Sequence, residues 1–245
     1  MALTVTSRGS GSNKTGATTY GISPASNFAA GLAVFTLAYD NAGTDGADPY
    51  SSISDSLGNT WTSRQGALRD PGAAAAGACF RIFTSPQDVG LLATSTTITV
   101  SFGAVSVTAK AYTLNQVSPA AANTAAYVTG STATGAGSTN IVTGSITSGD
   151  VVLCGLAHES EASSADDGDT TNGTWTTGQA ANTTGGADAS NMATRSQAKV
   201  TTGTGTQTWD FSAPGDWAAA WIEVNEQVAS ANQWGTQTEL IGWIS

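Results

Sequence analysis

Charge is what this 245-residue sequence has least of. Only 11% of its residues are charged, against roughly 25% in an ordinary soluble domain. Eight Lys and Arg stand against 18 Asp and Glu, a formal net charge of −10. Three lysines (Lys14, Lys110, Lys199) and five scattered arginines make no basic stripe that could neutralise phosphates, so nucleic acid is excluded as a partner. His158 is the only histidine, which excludes by count a metal site needing two or three imidazoles. The two cysteines, Cys79 and Cys154, form neither a C-x-x-C motif nor a disulfide framework, and each is expected as a buried, reduced thiol. Long apolar runs are lacking too. Leu32 to Tyr39 falls far short of the roughly 20 residues that span a bilayer, and MALTVTSRGS lacks the basic start and apolar core of a signal peptide. Neither a membrane nor a secretion pathway is expected.

What is present is apolar and β-branched. The chain is 40% hydrophobic with 7 Trp, which separates it from disordered sequences and predicts a packed core. Its polar surface must come from uncharged residues, with 38 Thr, 41 Ala and 29 Gly. The strongest pattern is internal repetition. GLAVFTLAYDN from Gly31 is answered by GDVVLCGLAHES from Gly149, and SDSLGNTWTS around Trp61 by GDTTNGTWTT around Trp175. RIFTS, TTITVSF and AYTLNQV are answered in the same order by QAKVTT, TQTWDF and WIEVNEQ. This order predicts two tandem modules, residues 1–118 and 119–228, joined by SPAAANTAA and followed by an unrepeated tail, 229–245. Alternation in Thr97 to Phe102 and Val105 to Val107 is the period-2 signal of half-buried strands, and Thr supplies a polar strand face. The predicted fold class is therefore all-β: two tandem β-sandwich modules of immunoglobulin-like or jelly-roll type, with Trp61 and Trp175 as equivalent core anchors.

Candidate chemistry is sparse. Any Ser-His-Asp arrangement would pass through His158, but Ser160, Ser163 and Ser164 lack the G-x-S-x-G context of a nucleophile elbow. A strand-end histidine meeting solvent is the plain expectation. Carboxylates cluster after the first long strand of each module, at Asp40, Asp45 and Asp48 and at Glu159, Glu161, Asp166, Asp167 and Asp169. Such loops either hold Ca²⁺ or are simply solvated, and neither has EF-hand spacing. A glycosidase would need two of these carboxylates in a cleft. Trp209, Trp217 and Trp221 either fill the core or form a sugar-stacking platform. No catalytic residue, metal or cofactor is assigned. The tail places Trp234, Leu240, Ile241, Trp243 and Ile244 within its last dozen residues; these are the candidate partner-binding residues, and the tail must fold back or dock on a neighbour.

The duplicated pattern of an apolar strand ending in AYDN, then DSLGNTWT, a short strand, TTITVSF and a closing strand resembles the small β-sandwich modules of tailed-bacteriophage virion proteins. It is similar especially to capsid decoration (cement) proteins and to tail or fibre components, over residues 20 to 228. That resemblance implies a non-enzymatic structural protein made in the host cytoplasm and located on the virion capsid surface. Its implied partners are the major capsid protein and neighbouring copies of itself, with a homotrimer at symmetry axes. A phage tail or head-fibre component and a carbohydrate-binding surface module are the alternatives.

Overall fold

The computed structural model describes residues 3–40, 47–70, 77–119 and 124–227. Fifteen strands are described: β1 (Thr4–Asn13), β2 (Thr19–Ile22), β3 (Leu32–Asp40), β4 (Ser52–Asp55), β5 (Thr62–Arg69), β6 (Ala78–Ser85), β7 (Ile98–Ser101), β8 (Lys110–Ser118), β9 (Thr124–Ala136), β10 (Thr139–Ile146), β11 (Val151–His158), β12 (Gln179–Asn182), β13 (Ala193–Val200), β14 (Gly205–Phe211) and β15 (Asp216–Gln227). One short 3₁₀ turn at Asp188–Ser190 is the sole helical element among the described residues. The fold is all-β, as the composition predicts.

The strands form four antiparallel sheets. One five-stranded sheet has the order β1-β8-β3-β6-β5 and the other β12-β13-β11-β15-β9; a three-stranded sheet (β2-β7-β4) and a two-stranded one (β10-β14) complete the set. Read from β9, the second large sheet runs β9-β15-β11-β13-β12, the same order as the first when β1, β8, β3, β6 and β5 are matched in turn. The segments that correspond in sequence occupy corresponding places: GLAVFTLAYDN forms β3 and GDVVLCGLAHES forms β11, each at the centre of its sheet.

Side-chain alternation assembles these sheets into layers. On β3, Leu32, Val34 and Ala38 face one way, and Ala33, Phe35, Leu37 and Tyr39 the other. The second set packs against Ile98, Val100 and Phe102 of the three-stranded sheet side, closing a first sandwich. On β11, Val152, Cys154 and Leu156 likewise pack with Ile141, Trp209 and Phe211 from the two-stranded sheet, closing a second. The remaining faces of the two large sheets meet each other. Val34, Phe80 and Ile82 share one core with Val151, Leu153, Ile222 and Val224. The result is a four-layer stack in which the two large sheets lie inside, which explains why β3 and β11 read as continuous apolar runs.

The shared core is filled with small residues. Ala38, Ala78, Ala111, Ala157, Ala218 and Ala220 all lie in it, so the inner sheets approach closely. Gly155 on β11 marks a close approach, because a Cβ there would lie 2.6 Å from Cζ of Phe80 on the facing sheet. A polar thread also crosses the seam. Thr36 Oγ1 and Thr113 Oγ1 are 2.6 Å apart, Thr113 Oγ1 is 2.6 Å from Ser196 Oγ, and Asn115 Nδ2 donates to that same Ser196 oxygen. Gln179 Nε2 donates to the Leu114 carbonyl and to Asn115 Oδ1. Buried hydroxyls bonded to one another in this way fix the register of two otherwise apolar faces.

Candidate functional site

The carboxylates singled out from sequence are drawn into internal bonds. Asp48 accepts from Tyr39 Oη at 2.5 Å and from Arg81 at 2.7 and 3.0 Å, while the Arg81 guanidinium lies 4.2 Å from the centre of the Tyr50 ring. Burial, with the Cys79 thiol and the Asp48 carboxylate beside it, holds the Tyr39 phenol well above its ordinary pKa and therefore protonated. Asp166 pairs with Arg195 and accepts from Gly178 N–H. Asp167 accepts from Asp169 N–H and Asp210 N–H, and Asp169 accepts from Thr171 N–H and lies 3.4 Å from Lys199 Nζ. Glu159 accepts from Gly77 N–H, and burial raises its pKa. Asp45 lies outside the described residues. Among those described, no group of three or more His, Cys, Asp or Glu side chains converges as a metal site.

The DSLGNTW motif is likewise a folding device. Asp55 Oδ1 accepts from the backbone N–H groups of Leu57, Gly58 and Asn59, and Asp55 Oδ2 accepts from Asn59 Nδ2 and from Trp61 Nε1 at 2.8 Å. Burial works against this carboxylate, but the bonds from Trp61 and Asn59 outweigh it and hold its pKa below the usual range. Gly58 takes φ +84°, which the turn requires. Asn59 Oδ1 then accepts from Val89 and Gly90 N–H, tying the neighbouring loop down. The segment matched to it in the second half differs: Trp175 is buried under Lys199, whose Nζ is 4.6 Å from the ring centre, and its Nε1 has no partner.

Trp209, Trp217 and Trp221 do not form a binding platform. They are 0 to 5% exposed and fill the second sandwich core. Trp209 Nε1 donates to Gln197, and Trp217 Nε1 donates to the Gly137 carbonyl. No flat indole face is left for a sugar ring there.

His158 departs from the sequence-based expectation. It is fully buried at the end of β11, opposite Trp217 and Ala193, and both ring nitrogens lack partners. The expectation of a solvent-facing residue fails because the loop that follows, through Glu159, Ser160 and Ser164, is itself buried over the strand end. Burial lowers its pKa to about 4, so the imidazole is neutral at pH 7. Both cysteines are buried and free, and burial raises both thiol pKa values.

The cations carry a role that sequence reasoning missed. All eight are engaged within the fold. Lys110 and Lys199 are buried. Lys110 donates to the carbonyls of Thr15, Val107 and Thr108, and Lys199 donates to the Thr171 carbonyl and pairs with Asp169. Arg81 and Arg195 hold Asp48 and Asp166. Arg8 binds Gln116. The other three join the halves: Arg69 pairs with Asp216, Arg64 lies 4.6 Å over Tyr127, and Lys14 donates to Asn191 Oδ1 and to the Gly185 carbonyl. No sequence signal separates such cations from solvated ones, since their partners are 63 to 177 residues away.

Two concavities among the described residues are large enough to note. One, of about 340 Å³, is lined by Ala165 to Gly168 and Asp210 to Ser212; the other, of about 210 Å³, lies where the halves join and is lined by Ala30, Gly31, Pro86, Pro119, Thr124 and Ala125. The candidate partner-binding residues Trp234, Leu240, Ile241, Trp243 and Ile244 lie outside the described residues. No family model, no curated protein and no solved structure matches the chain.

Proposed function

We propose that this chain is a non-enzymatic virion structural protein, a capsid decoration (cement) protein that binds the outer capsid surface and stabilises the shell. The observation that carries this reading is where the polar chemistry has gone. The cations are engaged by partners of the same chain, Trp209, Trp217 and Trp221 fill a core, and most exposed positions of β9 and β10 are Thr, Ser, Ala and Gly. Such faces pack on a partner with little desolvation cost, because few charges lose water when they are covered. The action is adhesive: sheet edges and faces contact the major capsid protein and neighbouring copies, and the apolar segment 229–245 docks in a partner groove or adds a strand to its sheet. The common strand order of the two large sheets supports reading the halves as a duplicated unit, a common route to a broad binding face.

The test is to mix the purified chain with undecorated capsids and measure occupancy and the temperature at which the shells open. Saturable occupancy with a raised opening temperature is expected. Absence of binding to capsids, together with recovery of the protein on tails or fibres, would transfer the proposal to the fibre alternative. Deleting residues 229–245 should lower occupancy, and undiminished binding would remove the tail from the mechanism.

A further inference from the structure

The four outer edges of the two large sheets are not treated alike. The edge of β1 is covered: Ala25 N–H donates to the Arg8 carbonyl at 2.7 Å, from the nine-residue connection between β2 and β3, and the register breaks between Ser7 and Gly9. The edge of β5 carries Arg64 and Arg69 and a register break between Ser63 and Gln65. The edge strand β12 is four residues long, and Asn182 at its end is bonded to Ser12 and to the Glu161 carbonyl. Covers, charges, bulges and shortness are the devices that stop a sheet edge from pairing with another chain.

β9 lacks most of them. It is the counterpart of β1, but the connection that would cover it, between β10 and β11, is only Thr147 to Asp150. A bulge at Val128 interrupts the register with β15, leaving Thr129–Ala136 as eight regular residues, TGSTATGA, with no charge and no proline. Among the described residues, no strand pairs with its outer side. The stretch of sequence around it is uncharged as well, and the nearest charges come from other strands, Arg64 over Tyr127 and Asp216 opposite Ala136. Residues 111 to 149, 39 in a row, contain no Asp, Glu, Lys, Arg or His, the longest such run in the chain. β9 and β10, which follow one another in the chain, also carry Val128 and Val142, 45% and 55% exposed, the two large apolar side chains left in solvent by the described part of the second half.

We propose that this edge is a self-association site: two copies of the chain pair β9 with β9 antiparallel about a two-fold axis, joining two five-stranded sheets into one of ten. The partner follows from charge. Two copies at −10 each repel wherever acidic loops face one another, and β9, inside the uncharged stretch 111–149, brings no acidic side chain of its own to a contact between copies. An isologous antiparallel pairing needs a segment that complements itself, and an uncharged strand of eight residues, about 27 Å long, does so. This inference concerns the isolated chain and stands or falls apart from the virion reading.

The experiment is sedimentation equilibrium of the full chain across micromolar concentrations. The wild type is compared with Thr132→Lys/Thr134→Lys, with Thr132→Glu/Thr134→Glu and with a chain lacking residues 229–245. Both threonines are exposed, so the folds should survive, which unchanged melting transitions would verify. A reversible monomer–dimer equilibrium is expected for the wild type and for the truncated chain, with the dissociation constant raised about tenfold or more in both charged variants. A monomeric or trimeric wild type overturns the proposal. So does a dimer weakened by the glutamates alone, which reports net charge, or one abolished by the truncation, which makes the tail the occupant of the edge.

Discussion

Protonating His158 should be the step by which mild acid weakens this fold. The ring is fully buried and neither nitrogen has a partner, so the folded chain favours the neutral form, with a pKa of about 4 against 6.5 when unfolded. A base whose folded pKa is depressed contributes stability that is complete above pH 6.5 and is lost as pH falls towards 4. Linkage gives a loss of about 2 kcal/mol at pH 5 and about 3 kcal/mol at pH 4 relative to neutral pH. Carboxylates titrate over the same range, so the wild type alone cannot isolate the effect; the comparison is with His158→Met, which keeps the volume and removes the titration. At about pH 7.5 the two proteins should differ by less than about 1.5 kcal/mol, because the change is nearly volume-conserving and removes two unpaired nitrogens. Urea unfolding at about pH 7.5 and pH 5 measures the difference at each. The variant should gain about 2 kcal/mol on the wild type between those pH values. An equal acid response in both proteins would refute the buried, neutral imidazole.

Two further substitutions probe the core and the opposite pH limb. Gly155→Ala should lower stability by about 1–3 kcal/mol, since its methyl would meet the Phe80 ring across the seam and the small-residue core has little room to relax; a neutral result in thermal melts would mean the inner sheets are less tightly apposed. Asp150 has its pKa raised to about 6 by burial and by the Glu223 carboxyl, so its stabilising contribution is present below pH 4 and is lost as pH rises through 6. Asp150→Asn should therefore gain stability at neutral pH relative to pH 4, by about 1 kcal/mol once solvent screening of this partly exposed group is allowed for; an unchanged pH profile would count against the pairing.

Much of the fold was legible in the sequence because it is written in short-range patterns. Alternation in TTITVSF and the continuous run LAVFTLAY mark a half-buried and a doubly buried strand, and both lie where those patterns put them. Doubly buried strands already imply layers on both sides, yet nothing local says which surface covers the second face. The seam between the two large sheets depends on Val34 entering the same core as Leu153 and Ile222, residues over a hundred positions away, and on an Ala- and Gly-rich face that reads as weakly apolar in isolation. The same limit hid the site chemistry. Asp48 and Asp166 look like solvated loop acids until Arg81 and Arg195 are brought to them, and His158 looks like a strand end meeting water until the following loop closes over it.

The distribution of charge, more than its scarcity, then organises the surface. With all eight cations engaged inside the fold and 18 acids in the chain, the negative surplus has no positive patch to offset it, so anionic partners and other copies are repelled over most orientations. A uniformly neutral protein would have no preferred way to meet itself. Here the 39 residues from 111 to 149 bring no charge of their own, and among the described residues the edge of β9 that they include has no covering segment such as its counterpart in the first half possesses. Repulsion elsewhere and open hydrogen-bonding groups at that edge act in the same direction. The sparse charge therefore selects an orientation for assembly, while the backbone of β9 supplies the attraction.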